Sequence, residues 1–253
     1  MADADRCIAF MRSFAERRAR RVVPFRFGRA FFDDELPLAP DLNAVSVEAN
    51  GDVPAAELLA EVERLQGSLA HRLVWVDDDT LGAELAPAFV AAGLTVVTNV
   101  VMTYSGGGRE VDTGAVVEVT AETLVPVWEA GIARGAKSSD EIVRQLLAAQ
   151  LLRRKAVEVR YFAVCDAGAP VSYCELFSDG AMGQVESVFT LEPHRGNGYA
   201  SAVVTKALEE SRARRHELAF LVADERRRPR ELYAKLGFEP VTRIWDFGKG
   251  DLV

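Results

Sequence analysis

The chain has 253 residues, 49% hydrophobic and 27% charged, with a formal net charge of −8 at pH 7 and a mean hydropathy near zero. That length holds one large domain or two of ordinary size, and the composition excludes a wholly disordered, collagen-like or membrane-embedded protein. No apolar run reaches the roughly 18 residues that cross a bilayer, and the acidic balance gives no global field for nucleic acid or an anionic membrane, so neither partner is expected.

The opening MADADRCIAF has no basic stretch followed by an apolar one, so no secretion signal is read there. Cys7, Cys165 and Cys174 are odd in number and lack C-x-x-C spacing, which points away from a disulfide framework and from a zinc site. The expected setting is a reducing cytoplasm, with no metal. Cys165 and Cys174 sit in strand-like runs and read as small buried hydrophobes.

In chain order, residues 17–32 read as a solvated helix followed by a strand, or as a basic, Phe-bearing face (Arg17, Arg18, Arg20, Arg21) for a partner domain. Residues 44–48 read as a strand and 54–70 as a helix with Leu58, Leu59, Val62, Leu65 and Leu69 on one face. The glycine-rich run Ser105–Glu110 has nothing apolar to bury and reads as a flexible linker, dividing the chain into domains 1–108 and 109–253. Residues 121–134 and 139–155 follow as amphipathic helices, the second with Ile142, Leu146, Ala149 and Leu151 or Leu152 inward. Strands over 157–165, 170–177 and 183–190 come next, the last two joined at Ser178-Asp179-Gly180, then a helix over 198–213 and a strand over 217–223. The order implies an α/β chain with a mixed, α+β type sheet carrying helices.

Two segments repeat on either side of the linker. Placing His71 on His216 pairs Leu73 with Leu218 and Asp79 with Asp224; after a one-residue gap Phe89 meets Tyr233, Gly93 meets Gly237 and Leu94 meets Phe238. Each reads as strand, turn, short helix closed by glycine, and strand, preceded by a further strand and helix, which favours a duplication. By charge, residues 1–110 carry −6 and residues 111–253 carry −2, so the second half is the better host for an anion.

The sharpest local signal is VESVFTLEPHRGNGYASAVVTKAL, residues 185–208: a strand, a loop with glycines at 196 and 198, and a helix with an unobstructed start. Such a start presents unsatisfied N–H groups and the positive end of the helix dipole to a phosphate. A dinucleotide-binding module fits less well, because the loop follows an antiparallel meander and lacks G-x-G-x-x-G.

RGNGYA at 195–200 resembles the Q/R-x-x-G-x-G/A pattern of the GCN5-related N-acetyltransferase (GNAT) family, and Tyr233-Ala234-Lys235-Leu236-Gly237-Phe238 is similar to that family's Y-x-x-x-G-F signature. The resemblance covers about residues 115–250. It implies two tandem GNAT-like domains, each a mostly antiparallel mixed sheet flanked by helices, and acetyl-CoA as acyl donor. The implied cofactor contacts are Val188, Phe189 and Thr190 along the pantetheine, with a backbone N–H at or near Phe189 polarising the thioester carbonyl. The implied phosphate contacts are Arg195, Gly196, Asn197, Gly198, Tyr199, Ala200 and Ser201. Asp224, which stands where relatives often have Asn, is the remaining implied cofactor contact.

Acetyl transfer to an amine needs a base for the nucleophile and a proton for the departing thiolate. The resemblance implies Tyr233 as the acid, the alternative being a ring packed under the cofactor. It implies Glu186 as the base, with Glu175 on the neighbouring strand as rival and a solvated carboxylate as the plain reading of each. His194 and the basic run Arg226, Arg227, Arg228 and Arg230 offer further phosphate contacts or merely solvated turns. In the first half, Asn50-Gly51-Asp52-Val53-Pro54-Ala55 lacks the arginine and second glycine, and Phe89 replaces Tyr233, so a degenerate domain without a CoA loop is expected. The expected protein is an N-acetyltransferase acting on a primary amine of a small molecule, less so of a protein or peptide, as monomer or homodimer. The competing expectation is a CoA-binding sensor or scaffold without turnover. The acidic first half mildly favours a cationic acceptor.

Overall fold

A computed structural model describes residues 1–49, 51–134, 139–226 and 229–250. The chain begins with α1 (Asp3–Arg18), β1 (Arg21–Phe25), β2 (Gly28–Phe32), β3 (Val45–Val47), α2 (Ala55–Gln66), β4 (His71–Val76), α3 (Asp79–Ala91) and β5 (Thr95–Tyr104). It continues with β6 (Val116–Val119), α4 (Ala121–Ala133), α5 (Asp140–Ala156), β7 (Glu158–Asp166), β8 (Ala169–Ser178) and β9 (Met182–Thr190). The last elements are α6 (Tyr199–Ala213), β10 (Leu218–Asp224), α7 (Pro229–Lys235) and β11 (Phe238–Gly250).

These fall into two compact units. One comprises Met1–Phe10, Val100–Gly131 and Arg153–Val241; the other comprises Met11–Asn99, Ile132–Leu152 and Thr242–Val253. The units are not consecutive stretches of chain on either side of 108/109. Each takes in a strand segment from beyond that point: Val100–Tyr104 in the first, Thr242–Gly250 in the second.

In the unit that carries the glycine loop, the strand order is β5-β10-β9-β8-β7-β6. Only β9 and β10 are parallel among the pairs of β6 through β10; β8 and β9, β7 and β8, and β6 and β7 are antiparallel. The β7–β8 hairpin turns on Ala167 and Gly168, both at positive φ, the geometry whose twist matches paired strands. Period-2 alternation sends Phe162, Cys174, Leu176 and Val185 to one face, where α6 covers them with Ala202, Val203, Ala207 and Leu208.

In the other unit, the order is β1-β2-β3-β4-β11, with β3 and β4 parallel and the remaining pairs antiparallel. Its core gathers Phe32, Val45, Val47, Leu58, Val62, Val74, Phe89 and Phe247. Gly82 in α3 gives Trp245 its room: a Cβ there would lie 2.2 Å from the indole. Residues 17–32 form the end of α1 and the β1–β2 hairpin, and Arg18, Arg20 and Arg21 bond within this unit. Arg18 donates to the Asp41 carbonyl, Arg20 pairs with Glu35, and Arg21 with Asp34. The helix expected over 54–70 stops at Gln66, and Gln66 itself turns inward to bond the Asn43 and Leu73 carbonyls.

Cys174 is buried, as its pattern predicts, and its Sγ reaches the Val203 carbonyl at 3.1 Å. Cys165 is exposed, contrary to the reading as a core residue, because the β7–β8 register breaks between Val164 and Cys165.

Candidate active site

The site begins where β9 leaves β10. The two strands pair from Met182↔Leu218 to Val185↔Leu221, and β9 then runs on to Thr190 without β10 beside it. The cause lies on the other edge of β9. Tyr173 pairs with Phe189 but Glu175 pairs with Glu186, so Ser187 and Val188 together oppose Cys174. Such a bulge bends and twists its strand. Ser187 takes the left-handed conformation, φ 54°, at a cost of about 1–3 kcal/mol that its surroundings must offset. Arg153 of α5 does so by donating to Ser187 Oγ at 2.8 Å while holding both Glu175 oxygens at 2.9 and 3.0 Å.

The backbone polarity of β9 follows from two bonds. Ser172 Oγ donates to the Phe189 carbonyl at 2.9 Å, and the Leu191 N–H donates to the Val171 carbonyl at 2.9 Å. The main-chain groups of Phe189 therefore point at β8, and alternation turns those of Val188 and Thr190 toward the opening. The backbone donor anticipated at or near Phe189 is therefore expected at Val188.

Past Thr190, a single 3-10 turn over Glu192–His194 delivers the chain to α6. Gly196 and Gly198 have φ 84° and 81°, and a Cβ at either would meet nothing within 4 Å. Gly198 caps α6 with no side chain over the helix start, and no acidic residue occupies the first turn. Asn197 fastens the loop through the His194 carbonyl. Tyr199 packs its side chain on the core, and Ser201 is buried, so these two offer the loop only their amides.

Val188, Phe189, Thr190, Arg195, Ala200 and Tyr233 line one cavity of about 600 Å³. Sequence reasoning missed Arg109, Leu232 and Lys235, which line it as well. A spacing signal for Lys235 existed, since it stands within the Tyr233–Phe238 motif; none existed for Arg109, which reaches the cavity through tertiary folding. Asp224 is not in this lining: its Oδ1 accepts the Arg226 N–H at 2.9 Å. Arg230 pairs with Glu225, and Arg227 and Arg228 lie outside the described residues. So does Asn50 in the first half. The His194 N–H closes the 3-10 turn onto the Leu191 carbonyl.

The candidate acid and base have unusual surroundings. Burial pushes the Glu186 carboxyl up; the Arg153 charge opposes this and the Glu175 charge adds to it. Gln184 Nε2 donates to Glu186 Oε1 at 2.6 Å. Burial likewise raises Tyr233, helped by the charges of Glu186 and Cys174. Glu175 is 1% exposed and bound on both oxygens by Arg153. Tyr233 lines the cleft and Glu186 does not, but the Glu186 charge acts on Tyr233, and a raised carboxyl near a raised phenol is the kind of pair a proton-transfer site uses.

A sheet splayed beside a bulge, opening at an uncapped glycine-started helix, leaves backbone donors free to meet an anionic ligand. Residues 129–238 match the family model described as the acetyltransferase (GNAT) family, so this segment is a GNAT domain. A GCN5-related N-acetyltransferase from Kribbella flavida superposes with TM-score 0.67 at 20% identity, over 98% of this chain and 96% of that one. A functionally unknown conserved protein from Staphylococcus epidermidis gives 0.69 at 11% identity, over 92% and 94%. A tandem GNAT protein from the clavulanic acid biosynthesis pathway gives 0.55 at 17% identity, over 88% and 78%. These likenesses concern the fold, and the tandem arrangement is consistent with them. No curated protein matches in sequence. Among the described residues no helix is long and apolar enough to cross a membrane, and no His, Cys, Asp and Glu cluster is set to hold a metal.

Proposed function

We propose that the protein transfers the acetyl group of acetyl-CoA to a primary amine of a small molecule, in the cytoplasm, with Glu186 as general base and Tyr233 as general acid. The observation that carries this reading is the single cleft that joins the open start of α6 to the β9 opening and to Tyr233. The residues suit the donor: glycines at 196 and 198 leave space where phosphate oxygens approach backbone amides, and Arg195 stands beside them. Acetyl-CoA supplies an activated carbonyl carbon and a thiolate leaving group.

The chain supplies the rest. Glu186 takes the proton of the attacking amine, directly or through one water, and its raised pKa makes it a stronger base when ionised. The Val188 N–H, turned into the opening, donates to the carbonyl oxygen as charge gathers there. Tyr233, whose raised pKa keeps it protonated at neutral pH, donates a hydrogen bond to the departing sulfur. Glu186 is favoured over Glu175 because both Glu175 oxygens are committed to Arg153. Phosphate contacts then come from the amides of 196–201 and from Arg195, and Asp224 contributes through the turn it caps rather than by contact.

The test is release of free CoA thiol from acetyl-CoA across a panel of cationic small amines and amine-bearing peptides. Turnover with small amines is expected. Turnover confined to peptides overturns the acceptor class, and stoichiometric binding without turnover against any amine overturns the catalytic reading in favour of a sensor.

A further inference from the structure

The glycine-rich run, read from sequence as a flexible linker, is pinned. The Ser105 N–H donates to the Gly237 carbonyl at 2.9 Å, Ser105 Oγ to the same oxygen at 3.1 Å, and the Arg109 N–H to the Lys235 carbonyl at 2.9 Å. Gly108 and its neighbour across the contact, Gly237, serve close backbone approach, whereas a Cβ on Gly106 or Gly107 would meet nothing within 4 Å. A Cβ on Gly108 would lie 2.2 Å from the Leu236 carbonyl, and one on Gly237 would lie 2.6 Å from the Gly106 carbonyl oxygen. The segment is a strap tied to the turn that ends α7, with Arg109 at its end.

Arg109 points at the helix start. Its Nη2 donates to Ser201 Oγ in the first turn of α6 at 2.6 Å, and it lines the 600 Å³ cleft together with Arg195 and Lys235. Among the described residues none of these three cations is paired with a carboxylate. The Arg195 side chain donates to the Thr190 carbonyl. Even with Glu231 in the same lining, three cations against one carboxylate leave the cleft beside the start of α6 net positive, which suits a polyanion, and the Arg109 guanidinium there supplies directed donors that a dipole alone does not.

We propose that Arg109, which lies outside the family-matching segment 129–238, is a phosphate-binding residue of the acetyl-CoA site, set in place by the 105–109 strap. This rests on the proposed donor. Either the pyrophosphate or the 3′-phosphate of the nucleotide presents the required chemistry, and the donor series below tells them apart.

Wild type and Arg109→Gln are compared with acetyl-CoA, 3′-dephospho-acetyl-CoA and S-acetylpantetheine, which lacks phosphate. KM for acetyl-CoA should rise about tenfold or more in the variant, with kcat at saturation and KM for S-acetylpantetheine unchanged. A smaller penalty with 3′-dephospho-acetyl-CoA assigns Arg109 to the 3′-phosphate; an equal penalty assigns it to the pyrophosphate. Arg109→Lys should recover part of the loss. Gly108→Ala, which displaces the strap and leaves the arginine in the sequence, should reproduce the acetyl-CoA defect. An unchanged KM for acetyl-CoA in Arg109→Gln overturns the proposal, as does an equal loss with all three donors, which would mark a folding role. Calorimetry separates the two levels: wild type that binds acetyl-CoA while the variant binds equally well sinks only the Arg109 assignment, whereas wild type that binds none sinks the donor as well.

Discussion

The chain contains two parallel strand-helix-strand crossings, β3-α2-β4 and β9-α6-β10, and they differ where the chemistry would be. In the first, pairing runs from Val45↔Val74 to Val47↔Val76, the full length of β3, so no opening forms. Its helix starts after Pro54 with Glu57 in the first turn, a charge that repels phosphate. In the second, pairing ends at Val185↔Leu221, the bulge at Ser187 bends β9 away, and α6 starts on Gly198 with no acid in its first turn. The two crossings thus differ, through one bulge and a few residues at a helix start, in what they would offer an anion. The counterpart aromatics make the same point: Tyr233 keeps a hydroxyl beside the cleft, whereas Phe89 is wholly buried against Phe247.

The strongest way to break this contrast is to turn the second helix start into something like the first. Gly198→Glu places a side chain at φ 81° and a negative charge at the α6 N-terminus. Titration calorimetry should show one acetyl-CoA site per chain in wild type and a loss of at least 100-fold in affinity in the variant. Two sites in wild type would show that the first crossing binds after all, and unchanged affinity in Gly198→Glu would remove the loop from the cofactor site.

Next in size is the chemistry. Glu186→Gln should lower kcat about 100- to 1,000-fold, with KM for acetyl-CoA within about twofold, the usual range for a lost general base. Because burial raises the Glu186 pKa, wild-type kcat/KM should climb as pH rises through that elevated value, and the ascending limb should vanish in Glu186→Gln. A variant that keeps the limb would assign it elsewhere, to the amine or to another group. Tyr233→Phe should cost about 10- to 100-fold and, lacking the hydroxyl, spare donor binding.

Most of the architecture was legible because it rests on local rules. The helices over 121–134, 139–155 and 198–213 and the strands over 157–165, 170–177, 183–190 and 217–223 form with ends shifted by a residue or two, since apolar periodicity and Gly-Asp turns are written in neighbouring residues. Gly93 and Gly237, counterparts in the repeat, share a positive φ after their helices, 84° and 93°. What was illegible depends on register or on distant partners. The bulge that redirects Val188 and Phe189 is set by pairing with Tyr173 and Glu175. The tie between Arg153 and Glu175 joins a helix to a strand. The strap looked flexible because its glycines carry no side chains, yet at Gly108 that lack is what lets the backbone dock at Leu236, and the same lack at Gly237 admits Gly106.

The smallest expected effect concerns a second raised carboxyl, in the unit without the loop. Asp246 pairs in register with Trp75, and Asn99 Nδ2 donates to its Oδ2 at 2.7 Å. Burial, with the charges of Asp41 and Asp77, pushes its pKa to about 7, against the Asn99 bond, which lowers it. The folded state thus holds this proton more tightly than the unfolded chain, whose Asp titrates near 4. The stability it lends is fully present below about pH 4 and is lost as pH rises through about 7. Partial solvent access and relaxation limit the effect to about 1–2 kcal/mol. Asp246→Asn cannot ionise, so its denaturation midpoint should fall less between pH 5 and 8 than that of wild type. Its pH–rate profile should match wild type, because this unit supplies no acid or base to the proposed reaction. Glu186→Gln should do the reverse, altering the rate profile far more than the stability profile. If Asp246→Asn instead displaces the rate profile, the two carboxyls are coupled and the division of labour between the two crossings fails.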